Sequence, residues 1–351
     1  MNLSNFKYHV LIFSFVGISY FCDSCSDSNN NEQMDSIAMD TALSKLSSPE
    51  LNLLNQKLSK EPGNPDIYFQ RAQLFFRNGD VAASIKDVSK SITIDSLKEE
   101  YWIFLADAHF AANQTRQSKE SLEKCVQLIP SSTNANIKLG ELFFYVKKYQ
   151  ESISAINSAL KLNENLAKGY FLKGMCYKES MDTSLAISSF QTAIEQDPNY
   201  FDAHMEIGML LAFKKNPVAL EYFLNALRLQ PKDVNVYYNM AKFYQDAGKL
   251  DLAEDTYAKV LKMDPKDKES LYNMGAIQLH HKNSPKTALE YFSKVISIDP
   301  NYAEAYFARG VCFEELKDYK NAKADYKMAI EIRPNYDFAI ENLNQLEKAR
   351  K

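Results

Sequence analysis

The chain has 351 residues, 46% hydrophobic and 25% charged, an ordinary globular composition with enough length to bury a sizeable core. Its formal net charge of -4 supplies no basic footprint for neutralising phosphates, so no nucleic-acid partner is expected. Glycine and proline are scarce, at 10 and 11 residues, while Lys, Glu, Leu, Ala and Tyr abound; that balance favours helix over sheet and predicts an all-α fold.

At the N-terminus, one lysine precedes an apolar run of 12 residues from Val10 to Phe21. A run of that length fits the core of an export signal and falls short of the roughly 20 residues that span a bilayer. An uncleaved anchor from Phe6 to Phe21 is the alternative reading. The CDSCSDSNNNEQ that follows resembles the junction of exported bacterial lipoproteins of the Bacteroidota type, in which a cysteine after a short box is lipidated. Ser24 is the small residue expected before Cys25; Asp23 and Cys22 depart from the box, and Phe21 is large for a residue preceding Cys22. The resemblance implies a signal over residues 1–24, acylation at Cys25 with Cys22 as the alternative, and attachment to a membrane of the cell envelope by lipid. That membrane would be the outer membrane or one facing the periplasm. Cleavage by an ordinary signal peptidase would leave a soluble exported protein instead. Residues 25–47, rich in Ser, Asn and Asp, read as a flexible tether.

Beyond the tether, prolines fall at 198, 231, 265, 300 and 334, a period close to 34 that organises most of the chain. Residues 65–336 divide into eight units: 65–98, 99–132, 133–166, 167–200, 201–233, 234–267, 268–302 and 303–336. Position 8 is Gly or Ala throughout: Ala72, Ala106, Gly140, Gly174, Gly208, Ala241, Gly275 and Gly310. Position 20 is small in every copy, from Ser84 to Ala322, and position 24 is large and apolar, from Val88 to Tyr326. Small residues in two columns let paired antiparallel helices approach closely, and bulky ones fill the gaps beside them. Proline near position 32 stops the second helix of a unit.

These columns resemble those of the tetratricopeptide repeat (TPR). The resemblance implies a right-handed α-solenoid of eight helix-turn-helix repeats. Leu54, Leu58 and Pro62 place a half-repeat cap at 48–64, and 337–351 reads as a C-terminal capping helix with Ile340, Leu343 and Leu346 on one face. The family's first aromatic column is Tyr68, Trp102, Asn136, Tyr170, His204, Tyr237, Leu271 and Tyr306, so repeats 3, 5 and 7 depart from it and are expected to lean on their neighbours. Pro217 and Pro285, ahead of the two ALEYF copies, are expected near the starts of second helices. Arg71 and Asp87 repeat their spacing in Arg309 and Asp325, which predicts an ion pair inside repeats 1 and 8.

The resemblance further implies a concave groove lined from the first helix of each repeat. Its candidate partner-binding residues are Phe69, Ile103, Ile137, Phe171, Met205, Tyr238, Tyr272 and Phe307 at position 5, with Phe76, Phe110 and Phe144 at position 12. Asp66, Glu100, Asp202, Glu269 and Glu304 at position 2 give an acidic rim. Such a floor suits a protein partner presenting an apolar peptide or an amphipathic helix. Apolar residues at position 5 could equally serve the packing of adjacent repeats. The Lys and Asn pattern of chaperone-binding carboxylate clamps is absent.

No HExxH, GxSxG, P-loop or GxGxxG in a suitable context occurs, so neither catalytic residues nor a cofactor nor a small-molecule substrate is indicated. Cys125, Cys176 and Cys312 fall in helical text as small core residues, and adjacent His280 and His281 point away from each other on a helix. The expectation is a membrane-tethered protein-interaction scaffold. The alternative is a docking or regulatory subunit for activity carried by another chain, within an enzyme or an envelope-assembly or secretion complex.

Overall fold

The computed structural model describes residues 48–348. Its 18 helices are α1 (Pro49–Lys60), α2 (Pro65–Arg77), α3 (Val81–Ile94), α4 (Glu99–Ala111), α5 (Thr115–Leu128), α6 (Thr133–Tyr145), α7 (Tyr149–Leu162), α8 (Ala167–Glu179), α9 (Thr183–Gln196), α10 (Phe201–Phe213), α11 (Ala219–Leu229), α12 (Val234–Asp246), α13 (Leu250–Met263), α14 (Lys268–His280), α15 (Pro285–Ile298), α16 (Ala303–Glu315), α17 (Tyr319–Ile332) and α18 (Asp337–Lys348). No strand occurs among the described residues. The expected signal segment, tether and cysteines Cys22 and Cys25 lie outside them.

Two compact units divide within α9, the first ending at Ser189 and the second beginning at Phe190. In the first, α2 pairs with α3, α4 with α5 and α6 with α7, and α1 covers the open side of α2. In the second, α10 pairs with α11, α12 with α13, α14 with α15 and α16 with α17, and α18 packs on α17. Each unit is a run of helix pairs of the TPR α-solenoid type.

Local chemistry sets these boundaries. Asn64, Ser132, Asp233 and Asp267 accept backbone N–H bonds at the starts of first helices, and Asp80, Asp182 and Asp318 do so for second helices. Between the two helices of every repeat one residue is left-handed: Gly79, Asn113, Lys147, Met181, Lys215, Gly248, Asn283 and Lys317, with φ between 48° and 84°. Only two of these are glycine, so six turns hold a side chain where the backbone prefers none. Pro285 is the first residue of α15, as expected. Pro217 is also near the start of its helix, two residues ahead of α11, its carbonyl accepting from the Leu220 amide in a tight turn, and α11 has 11 residues.

The small columns do what their size suggests. A Cβ on Gly275 would lie 2.7 Å from Phe292, and one on Gly310 would lie 2.6 Å from Tyr326. The rings at position 24 therefore fill the space that position 8 leaves open. Ser84 Oγ donates to the Ala72 carbonyl at 2.8 Å and Ser152 Oγ to the Gly140 carbonyl at 2.7 Å, so position 20 also pins the crossing by hydrogen bonds.

The first aromatic column has a second role. Tyr68 donates to the Pro62 carbonyl, Trp102 to that of Ser96 and Tyr237 to that of Pro231, each reaching back six residues to the end of the preceding repeat. His204, one of the departures, makes the same bond through Nε2 to Pro198 at 3.0 Å, so its Nε2 carries the proton. Repeat 5, which departs from the aromatic column, thus makes through a histidine the bond that Tyr or Trp makes in repeats 1, 2 and 6. Asn136 bonds locally to the Ser132 carbonyl, and Leu271 contributes burial alone.

Candidate functional site

Within each unit first helices of successive repeats touch, α4 with α6 and α6 with α8 in the first, α10 with α12 and α14 with α16 in the second. In the first unit Phe69 on α2 stacks edge-on against Phe104 on α4 at 5.3 Å, Phe76 meets the same ring at 5.5 Å, and Phe110 on α4 meets Tyr145 on α6 at 4.8 Å. Phe69, Phe76, Ile103, Phe110, Phe144 and Phe171 are half-buried, so each presents part of its apolar surface on this face. Tyr145 extends the patch and is 61% exposed. Ile137 is buried among Ile156, Leu160 and Leu172 and belongs to the interior rather than to an open floor. Phe69 also packs 4.9 Å from Tyr101, so packing and surface are shared in one ring.

In the second unit Tyr238, Tyr272 and Phe307 are half-buried, whereas Met205 is buried among Phe223, Val236 and Met240. Tyr272 lies 5.4 Å from Phe292 and 5.6 Å from Tyr302; Phe307 lies 5.7 Å from Tyr326 and 5.2 Å from Tyr336. Burial raises the Tyr238 phenol to about 12, helped by the charge of Glu269. It raises that of Tyr272 as well, with Glu304 adding to it, so both stay protonated and available to donate.

Position 9, to which the sequence reading gave no candidates, carries charge in the first unit. Lys138 on α6 sits 3.1 Å from Asp107 on α4. Lys168 at the start of α8 sits 2.6 Å from Glu141 on α6, whose carboxylate is fully buried. Lys138 is the next cation to Glu141, at 3.9 Å, and no hydrogen-bond donor completes its remaining acceptor positions. Burial pushes the Asp107 carboxyl above its usual range, opposed chiefly by Lys138. The signal was present in the sequence as opposite charges at positions 6, 9 and 2 of successive repeats. The acidic rim is partly neutralised too: Asp66 pairs with Lys98 at 2.7 Å and Glu304 with Arg333 at 2.5 Å.

Nothing in the described residues gathers nucleophilic or metal-binding chemistry. No group of three His, Cys, Asp or Glu side chains among them is placed to hold a metal ion. Cys125, Cys176 and Cys312 are buried, their thiols raised by desolvation to about 11, 11 and 12, and they act as small core residues. No described helix is long and apolar enough to cross a membrane.

Three models, each of the tetratricopeptide repeat, match residues 303–336, residues 210–276, and residues 99–132, 167–200 and 268–302. Together they cover more than half of the chain. The chain belongs to the tetratricopeptide-repeat family. TPR proteins as a class bind protein partners. Among solved structures, the C-terminal part of a TPR repeat-containing protein from Cytophaga hutchinsonii aligns with a TM-score of 0.59 at 20% identity, covering 70% of this chain and 99% of that one. A tetratricopeptide repeat protein from Parabacteroides merdae aligns with a TM-score of 0.51 at 19% identity, covering 71% and 98%. Both are likenesses of fold. Among curated proteins, the human protein O-mannosyl-transferase TMTC3 is 25% identical over 211 residues, which is 55% of this chain and 23% of that protein. This TPR chain thus spans less than a quarter of that relative's length.

Proposed function

We propose that this TPR protein is a non-enzymatic scaffold that holds a partner protein's peptide or amphipathic helix against the face formed by its first helices. The observation that carries the reading is the row of half-buried rings and aliphatic side chains at positions 5 and 12 of the first unit, from Phe69 to Phe171. A preformed apolar surface of this kind binds without ordering itself first, which is what repeat arrays offer a partner. The Glu141–Lys168 pair, whose carboxylate is buried, and the half-buried Asp107–Lys138 pair support the reading, because each ties the first helices of neighbouring repeats to one another. Residues 1–24 are then an export signal, Cys25 (or Cys22) the lipid-bearing residue, and 25–47 the tether to a membrane of the cell envelope.

The test uses Phe110→Ser with Tyr145→Ser, which removes surface rings while leaving Phe69 in its packing. Loss of partner capture with helicity unchanged supports the scaffold, whereas undiminished capture refutes this face. For the tether, Cys25→Ala together with Cys22→Ala is expected to move the protein from the membrane fraction to the soluble fraction; retention on the membrane would contradict lipidation. A docking arm for an enzyme on another chain is the second reading, favoured by the match to part of a mannosyl-transferase. Sustained turnover by the purified chain alone would overturn both readings.

A further inference from the structure

The described helices begin and end on half a repeat. At the start, α1 lies against α2 as the second helix of one repeat lies against the first helix of the next. Arg71 Nη1 donates to Asn55, 16 residues before it, at 2.7 Å, and Arg309 Nη1 donates to Ser293, also 16 residues before it, at 3.3 Å. At the end, α18 is entered as a first helix is. The Tyr336 amide donates to the Arg333 carbonyl and the Ile340 amide to that of Tyr336, the bonds that Tyr302 and Tyr306 make one repeat earlier. Among the described residues α1 has no first helix ahead of it, and α18 has no second helix behind it.

The two free sides match position by position. Inside a repeat, position 7 meets position 23, as Arg71 meets Asp87; position 8 meets 20, as Ser84 meets the Ala72 carbonyl; and position 1 meets 27, as Ser91 meets the Pro65 carbonyl at 2.9 Å. Carrying the period past both ends puts Asp337, Leu343 and Asn344 of α18 at positions 1, 7 and 8, and Glu50, Leu53 and Lys57 of α1 at positions 20, 23 and 27. The register therefore sets Leu343 opposite Leu53, Asn344 opposite Glu50 and Asp337 opposite Lys57. These are an apolar pair, an amide donor against a carboxylate, and a carboxylate against an ammonium. Leu53 is 51% exposed, and Glu50, Lys57, Asp337 and Asn344 are exposed as well. The helices also differ in sign: α18 holds Asp337, Glu341 and Glu347 against Lys348, whereas α1 holds Lys57 and Lys60 against Glu50. Asp337, Ile340, Glu341, Asn344, Gln345 and Lys348 line an open hollow along the free side of α18.

We propose that a second copy of this chain occupies that side, α18 of one copy and α1 of the next forming the first and second helices of a composite repeat. The contact is heterologous, so each added copy again presents a free α1 or a free α18. Asn344 and Glu50 stand where internal repeats keep small residues, so the composite pair crosses at a wider separation than an internal one. Polar and ionic bonds then carry much of the contact, which makes it reversible and selective for matched ends.

The test is disulfide trapping in cells of the host, with two differently tagged full-length copies produced together. One carries Glu50→Cys and the other Asn344→Cys, at the two positions that approach to hydrogen-bonding distance inside repeats 1 and 3. The expected result is a disulfide-linked dimer bearing both tags on a non-reducing gel, and none when Leu185→Cys on α9 replaces Asn344→Cys. Lys57→Glu in the first copy should cut the yield about fivefold, and adding Asp337→Lys to the second should restore it to within about twofold. Both side chains are exposed, so neither change opens a core. Absence of the mixed dimer would overturn the proposal and give the open side of α1 to the chain's own preceding residues or to another protein. An equal yield with Leu185→Cys, no effect of Lys57→Glu, or a loss that Asp337→Lys does not restore would overturn it too.

Discussion

Arg309 and Asp325 face each other across the two helices of the last repeat in a two-pronged ion pair, Nε to Oδ2 at 2.7 Å and Nη2 to Oδ1 at 2.9 Å. The third nitrogen, Nη1, reaches Ser293 on the preceding second helix at 3.3 Å. The guanidinium also lies 5.5 Å from the Tyr306 ring and 5.9 Å from that of Phe313. Arg71 repeats the arrangement in the first repeat, with Asp87 at 2.6 and 2.9 Å, Asn55 at 2.7 Å, and Tyr68 and Phe75 each at 5.8 Å. One side chain thus joins three helices. Both arginines are held firmly protonated, chiefly by the hydrogen bonds to their carboxylates. Asp325→Ala is expected to lower stability by about 2 kcal/mol, since it leaves a mostly buried guanidinium without its partner. Arg309→Lys keeps the charge but loses the fork and should cost about 1 kcal/mol in the same denaturation experiment. An unchanged midpoint for Asp325→Ala would show the pair to be ornamental.

His204 yields a sharper comparison, because its Nε2 bond to Pro198 replaces one made by tyrosine in repeats 1 and 6. His204→Phe removes the donor and leaves the carbonyl without it, an expected loss of about 1 kcal/mol. His204→Tyr restores the donor and should remain within about 0.5 kcal/mol of the parent. Equal midpoints for the two variants in urea would remove the role given to this bond.

At the left-handed turn residue Met181, φ is 64° and the side chain is 80% exposed, so glycine relieves strain without uncovering a core. Met181→Gly is expected to raise stability by about 0.5–1 kcal/mol. By contrast, Gly275→Val drives methyl groups into the Phe292 ring and should lower stability by about 2–3 kcal/mol. Thermal melts of both, side by side, would expose a wrong sign in either.

Acid sensitivity follows from carboxylates whose folded pKa is displaced. Hydrogen bonding from Lys268 holds Asp299 below its ordinary value of 3.8, so its contribution is present above that value and is lost as pH falls through the lower folded value. Asp107 moves the other way through burial: its protonated form is favoured by folding, so its contribution is present below 3.8 and lost as pH rises through the raised value. Asp299→Asn should therefore destabilise at pH 7 and converge with the parent in strong acid. Urea titrations of both proteins across pH 2 to 7 check this, and a pH-independent gap would contradict it.

What could be read from residues alone was whatever depends on size and period. Gly310, Ala322 and Tyr326 announce a helix crossing because a close approach tolerates nothing larger at the first two positions, and Arg309 with Asp325 announces its own pair by exact recurrence in repeat 1. The exposure of position 5 was not legible, since Ile137 and Ile103 are the same residue type at the same position and differ only in what neighbouring helices lay over them. Glu141 escaped notice for a related reason. Its column holds Gln73, Asp107, Met175 and Lys242 in other repeats, and only the fold brings Lys168 against it. His204 looked like a broken column because sequence records an aromatic identity, whereas the structure uses a donor at a fixed reach.

The central claim, that a partner lies along the first-helix face, is tested most directly by site-specific photocrosslinking in the native host. A photoreactive phenylalanine analogue is placed in turn at Phe76, Phe110 and Tyr145, and, on the second helix α9, at exposed Leu185. One adduct of common mass from the three first-helix positions and none from Leu185 is the result predicted here. An adduct of that mass from Leu185 with none from Phe76, Phe110 or Tyr145 would contradict it.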